Sequence, residues 1–156
     1  MHVVADTDFL NSFFKISRVE LIFDAFDVDK VCITQAVFEE LAKAPFFDDL
    51  ARHMERIELV SLDKLPDNIQ STILGKGEIE SISYALKMKS ILLTNDKKAG
   101  EFAEDLGVKV LDIVSFLLLC KEINLLSTNE IEHILYSLRK YDYMEFNREQ
   151  KKLLLE

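Results

Sequence analysis

The chain has 156 residues, 49% hydrophobic and 30% charged with only four Gly and two Pro, which fits one compact domain with a sizeable core and no linker. A net charge of -9 and a pI near 4.9 argue against a general nucleic-acid coat, and fit a protein that gathers carboxylates around a metal or meets a basic partner. The two cysteines lack metal-ligand spacing, the histidines form no HExxH, Asp6 interrupts any signal peptide, and the run VSFLLLC is far short of the ~20 residues of a bilayer span. We therefore expect a soluble cytoplasmic protein with Cys32 and Cys120 as buried thiols.

In HVVAD the pair Val3 and Val4 reads as a buried strand, and Asp6 is the first polar group beyond it. Asp6 then sits on a sheet's rim, and reads equally as the N-cap of the helix beginning near Phe9. Phe9 to Phe26 suggests one or two short helices. KVCIT (Lys30 to Thr34) reads as a strand, and Gln35 to Ala44 as a helix stopped by Pro45. At about 100° per residue Glu40 falls between Ala36 and Ala44 on the flank of the apolar arc, whereas Glu39 lies beside Lys43 on the polar side. An inward Glu is costly unless it is paired or binds a cation, which favours Glu40 over Glu39 as a functional residue.

Phe46 to Met54 reads as helix, Ile57 to Leu62 as a strand, and Pro66 opens a helical turn or two toward Gly75. In GKGEIESISYALKMK a helix follows the glycines, with Glu78 on its apolar stripe and Glu80 opposite, next to Lys87. Glu78 could merely complement the helix dipole, but its inward position points to more. The turn is no dinucleotide fingerprint, because the third glycine of GxGxxG is missing. SILLT (Ser90 to Thr94) delivers Asn95 and Asp96 at its carboxyl end; a helix closed by Gly107 and the strand KVL follow. Asp112 is placed to cap an apolar helix, Ile113 to Ile123. Ser127 with Glu130, and Asn147 with Gln150, resemble capping boxes of two further helices. We expect residues 1–126 to form the main domain and residues 127–156 a helical extension packed on it.

Strands alternating with helices imply a parallel sheet covered on both faces, with right-handed crossovers. All strands of such a sheet end at one edge, so Asp6 and Asp96 share it; the helix after a strand and the helix leading to the next both begin there, and with Glu40 expected in the first half of the former and Glu78 opening the latter, all four acids come to the same place. Like charges in a half-dry cleft raise one another's pKa unless a hard cation lies between them. Carboxylates without a His or Cys cluster suit Mg2+ or Mn2+, which can polarise a phosphodiester and acidify a bound water.

From ADTDFL through TQAVFEELAK to GKGEIESISYALKMKSILLTNDKKAGEFAEDLGVKVLD, the chain resembles PIN-domain proteins, the ribonuclease family that includes VapC-like toxins of toxin–antitoxin pairs. It looks closest to a subgroup with a GxGE motif, in which Glu stands at the third acidic place. The resemblance implies a three-layer α/β/α sandwich around a central parallel sheet, usually dimeric. Asp6, Glu40, Glu78 and Asp96 match the acidic quartet, with Thr7 and Asn95 as neighbours able to orient a metal-bound water. It further implies a Mg2+- or Mn2+-dependent endoribonuclease acting on RNA, an antitoxin as partner, a homodimer and no membrane. Lys15, Arg18, Lys43, Arg52, Lys76, Lys97 and Lys98 are the basic residues near the expected rim, and read equally as solvated surface. Two other functions fit parts of the chain. One is a haloacid-dehalogenase-like phosphatase with Asp6 and Asp8 as its DxD and Thr94 and Lys97 or Lys98 in support, although the later paired acids are missing. The other is a non-catalytic module binding a basic peptide in an acidic cleft.

Overall fold

A computed structural model describes residues 1–65, 69 and 74–156. The short apolar runs form five strands, β1 (Val3–Ala5), β2 (Val31–Thr34), β3 (Ile57–Val60), β4 (Ile91–Leu93) and β5 (Lys109–Leu111). They pair in parallel in the order β3-β2-β1-β4-β5. Alternate residues face opposite layers: Val3, Ala5, Val31 and Ile33 join one apolar cluster, while Val4, Cys32 and Leu92 join the other. The fold is the three-layer α/β/α sandwich expected from the alternation of elements.

Helices α1 (Thr7–Lys15), α2 (Glu20–Asp24), α3 (Gln35–Ala42) and α4 (Phe47–Arg52) follow the first two strands, and a 3-10 turn (Met54–Arg56) leads into β3. Helix α5 (Lys76–Met88) leads into β4, and α6 (Lys97–Asp105) joins β4 to β5. The helical turns expected to open at Pro66 lie outside the described residues. Asp6, Thr34, Asp96 and Asp112 each accept a backbone N–H at a helix start, so the strand ends double as N-caps. Gly107 follows α6 with φ +91, the left-handed turn that only glycine adopts freely.

Helix α7 (Ile113–Glu122) places Phe116 edge-on against Phe9 and Phe13, with ring centroids 5.6 and 5.4 Å away. Helices α8 (Thr128–Asp142) and α9 (Arg148–Leu155) begin in capping boxes at Ser127 and Asn147, as expected. Ile131, Ile134, Leu135, Leu138 and Leu154 bury in the same cluster as Phe9 and Phe116. Asp142 at the end of α8 ties back to α1, accepting from Ser12 Oγ and Lys15 Nζ at 2.6 Å each. No helix among the described residues is long and apolar enough to cross a membrane.

Candidate active site

From β1 the chain moves outward on one side to β2 and β3, then crosses back to β4 on the other side. The crevice of such a sheet opens where the order reverses, beyond the carboxyl ends of β1 and β4. Asp6 follows β1 there, its N–H donating to Leu93 O at 3.1 Å. It is 5% exposed. Its Oδ1 accepts Phe9 N–H at 2.9 Å and its Oδ2 accepts the Thr94 hydroxyl. Burial lifts the carboxyl from 3.8 to about 7; the Thr94 and Phe9 hydrogen bonds oppose the rise, and the charges of Asp8 and Glu78 add to it.

Asp6, Thr7, Asp8, Glu40, Gly75, Gly77 and Glu78 line one cavity of about 70 Å³. Thr7 donates its hydroxyl to Glu40 Oε2 at 2.5 Å, bridging α1 and α3. Glu78, half-buried in the first turn of α5, accepts Gly75 N–H on Oε2 at 3.1 Å. Its pKa is raised by burial, against the Gly75 hydrogen bond, with Asp96, Asp8 and Glu40 contributing. Asp8 is raised as well, first by burial and then by Glu40, while Lys15 pulls it down.

Asp96 lies next to this cavity, lining a polar trough with Thr94, Asn95, Lys97, Asp112 and Gln150 among others. Its Oδ1 accepts Ala99 N–H at 2.8 Å, and its charge is felt by both Asp8 and Glu78. Three of the expected acids, Asp6, Glu40 and Glu78, thus share one cavity, and Asp96 stands at its side. Asn95 turns away from it, its Oδ1 accepting Ile113 N–H at 3.1 Å.

Two expectations from the helical wheels need correction. Glu40 lies in the last turn of α3 and is exposed, because its long side chain leaves the apolar arc to reach Thr7. Glu80 does not face water beside Lys87; it is half-buried and accepts Ala36 N–H at 3.1 Å, at the start of α3. A wheel drawn on one helix cannot show that a neighbouring helix end offers a donor. Asp8 is the acid left out of the quartet, although its place two residues after Asp6, in the first turn of a helix entered from the sheet, was a usable signal. Of the basic candidates, Lys15, Arg18 and Arg52 pair with Asp142, Glu20 and Asp49. Lys43, Lys76, Lys97 and Lys98 are exposed.

The donor set fits a hard divalent cation: oxygen ligands alone, negative charge in excess, and three carboxyls, Asp6, Asp8 and Glu78, whose ionisation burial resists. Glu40 Oε1 and Asp96 Oδ2 hold no hydrogen bond among the described residues. The side chains are not gathered to ligating distance, since no three His, Cys, Asp or Glu among the described residues form a ready metal cluster. They are instead parked on Thr94, Thr7, Gly75 and Ala99.

A model of the family described as "DUF3368: PIN domain" matches residues 2–152. Among solved structures, the chain is similar to a PilT N-terminus domain protein from the hyperthermophilic archaeon Sulfolobus solfataricus P2. The TM-score is 0.57 at 17% identity, over 95% of this chain and 99% of that one. No curated protein matches.

Proposed function

The chain belongs to the PIN-domain family, whose members are typically metal-dependent nucleases, and on that premise we propose that it is an endoribonuclease using Mg2+ or Mn2+. The observation that carries this reading is the single cavity at the sheet's reversal point where Asp6, Asp8, Glu40 and Glu78 meet, with Asp96 beside it. Asp6, Glu40 and Asp96 would hold the cation, and Glu78 would complete the set or orient a water. When bound, the cation supplies charge neutralisation and Lewis acidity at a phosphodiester. The chain's own part is to hold those oxygens: Thr94 and Phe9 N–H fix Asp6 from two sides, and Thr7 fixes Glu40. The exposed Lys97 is the one basic residue among the described residues of the neighbouring trough, which Asp96, Glu101, Glu104 and Asp112 make acidic, so a substrate phosphate would need the cation there.

RNA as substrate, a toxin's role with an antitoxin partner, a homodimer and a cytoplasmic setting complete the reading, on the strength of the GKGE and ILLTND segments. The test is cleavage of single-stranded RNA by purified protein with Mn2+, with single-stranded DNA in parallel. RNA should be cut, and Asp6→Asn should abolish the cut while the circular dichroism spectrum stays unchanged. Equal cleavage by the variant would overturn the assignment.

A further inference from the structure

Gly77 is the second residue of α5, buried, and its backbone does not require a glycine: Gly107 is the one glycine with a positive φ among the described residues. Alanine is the better helix former at such a position. What excludes a side chain is Glu40. A Cβ placed on Gly77 would lie 2.8 Å from Glu40 Oε1 and 3.2 Å from both its Cδ and Oε2. At Gly75, by contrast, the nearest atom would be Glu78 Oε2 at an ordinary 3.9 Å, so the second glycine of GKGE alone answers to the close approach of α5 and α3. On its other side the same carboxylate takes the Thr7 hydroxyl at 2.5 Å. Glu40 is exposed and rotatable, and apart from these two neighbours no hydrogen bond or ion pair among the described residues holds its side chain over the cavity.

We infer that Gly77 and Thr7 are positioning residues that together set the Glu40 carboxylate: Thr7 grips one oxygen, and Gly77 withholds a side chain so that the other can stand over the cavity shared with Asp6 and Glu78. The inference rests on the proposed metal-dependent activity for its purpose, but not for its geometry. The atom that a new Cβ would meet is the mobile end of a side chain. Gly77→Ala therefore leaves the fold in place and displaces Glu40, so stability holds or rises while cation binding falls. A residue of merely structural importance would lose both together.

The test uses the full chain, Mn2+ titration by calorimetry, thermal unfolding without metal, and the 13C carboxyl signal of Glu40 at one fixed pH. Gly77→Ala should unfold at or above the wild-type temperature, shift the Glu40 signal, and bind Mn2+ about 10–100-fold more weakly. Thr7→Val should weaken binding similarly, and keeps the inference open to refutation should Gly77→Ala fail to fold. Thr7→Ser, which keeps the hydroxyl, should restore it. On a Glu40→Ala background, Gly77→Ala should cost nothing further. Wild-type Mn2+ affinity in both Gly77→Ala and Thr7→Val overturns the inference. Should the wild type bind no Mn2+, the nuclease reading falls instead; the positioning of Glu40 then stands if its signal moves in Gly77→Ala and falls if it does not.

Discussion

Asp6→Asn should make the metal-free protein more stable, and the gain should depend on pH. Asp6 is 5% exposed and its carboxyl is lifted from 3.8 to about 7, so between about pH 4 and about pH 7 the folded state holds a proton that the unfolded state has released. The folded-state value lies above the unfolded one, so stability is fully present below about pH 4 and is lost as pH rises toward 7. A rise of that size corresponds to about 4 kcal/mol at about pH 8. Asn keeps the acceptor for Phe9 N–H without the charge, but turns its amide toward Thr94 Oγ1, which must then accept instead of donate; this rearrangement returns about 1–2 kcal/mol. The net gain is therefore about 2–3 kcal/mol, or roughly 5–10 °C in Tm for a domain of this length. Urea unfolding in EDTA measures it, and the gain should shrink by about 2 kcal/mol between about pH 8 and about pH 5.5. A variant no more stable than wild type at about pH 8, or a gain that ignores pH, would show that the buried carboxyl carries no charge penalty and refute the reasoning.

Two further substitutions test the frame around the site. Gly107→Ala should cost about 1 kcal/mol by urea unfolding with Mn2+ affinity the same as that of the wild type, because φ is +91 and an added Cβ meets nothing within 4 Å, leaving backbone strain as the whole effect. Asp142→Ala removes the acceptor shared by Ser12 and Lys15 and should cost about 1–2 kcal/mol, reduced from the value for a fully buried charged bond because Lys15 is 37% exposed; a loss confined to α8 in hydrogen exchange would contradict the tie between that helix and α1.

The strands were legible because each is a short run rich in Val, Ile or Leu between polar turns, and the acids at their ends because a parallel sheet sends every strand end to one edge. Asp6 and Asp96 needed nothing more than that rule. Cap residues were legible too: Asp112, Ser127 and Asn147 cap the helices their spacing announced. The roles of Glu40 and Glu80 were not, because each depends on a partner from another element. Thr7 draws Glu40 out of its helix's apolar arc, and the N-terminus of α3 draws Glu80 in. Gly77 is the same case in reverse, since the reason for a missing side chain is the carboxylate that occupies its space.

Helix capping alone accounts for much of the acid at this edge. Asp96 accepts Ala99 N–H, Glu78 accepts Gly75 N–H and Asp112 accepts Ser115 N–H, each at a helix start where the dipole favours a carboxylate by about 0.3–1 kcal/mol. Such residues need no ligand to explain them. Asp6 also caps, but Ser or Asn would cap for about the same gain of ~1 kcal/mol without a buried carboxyl held at about 7. Glu40 caps nothing, and lies in the last turn of α3, where the dipole opposes its charge. Capping thus explains neither the choice of a carboxylate at Asp6 nor the presence of Glu40, and both line the same cavity. Their shared position is the strongest reason to read that cavity as a place for a cation, because a bound positive charge would offset both the burial of Asp6 and the helix end that opposes Glu40.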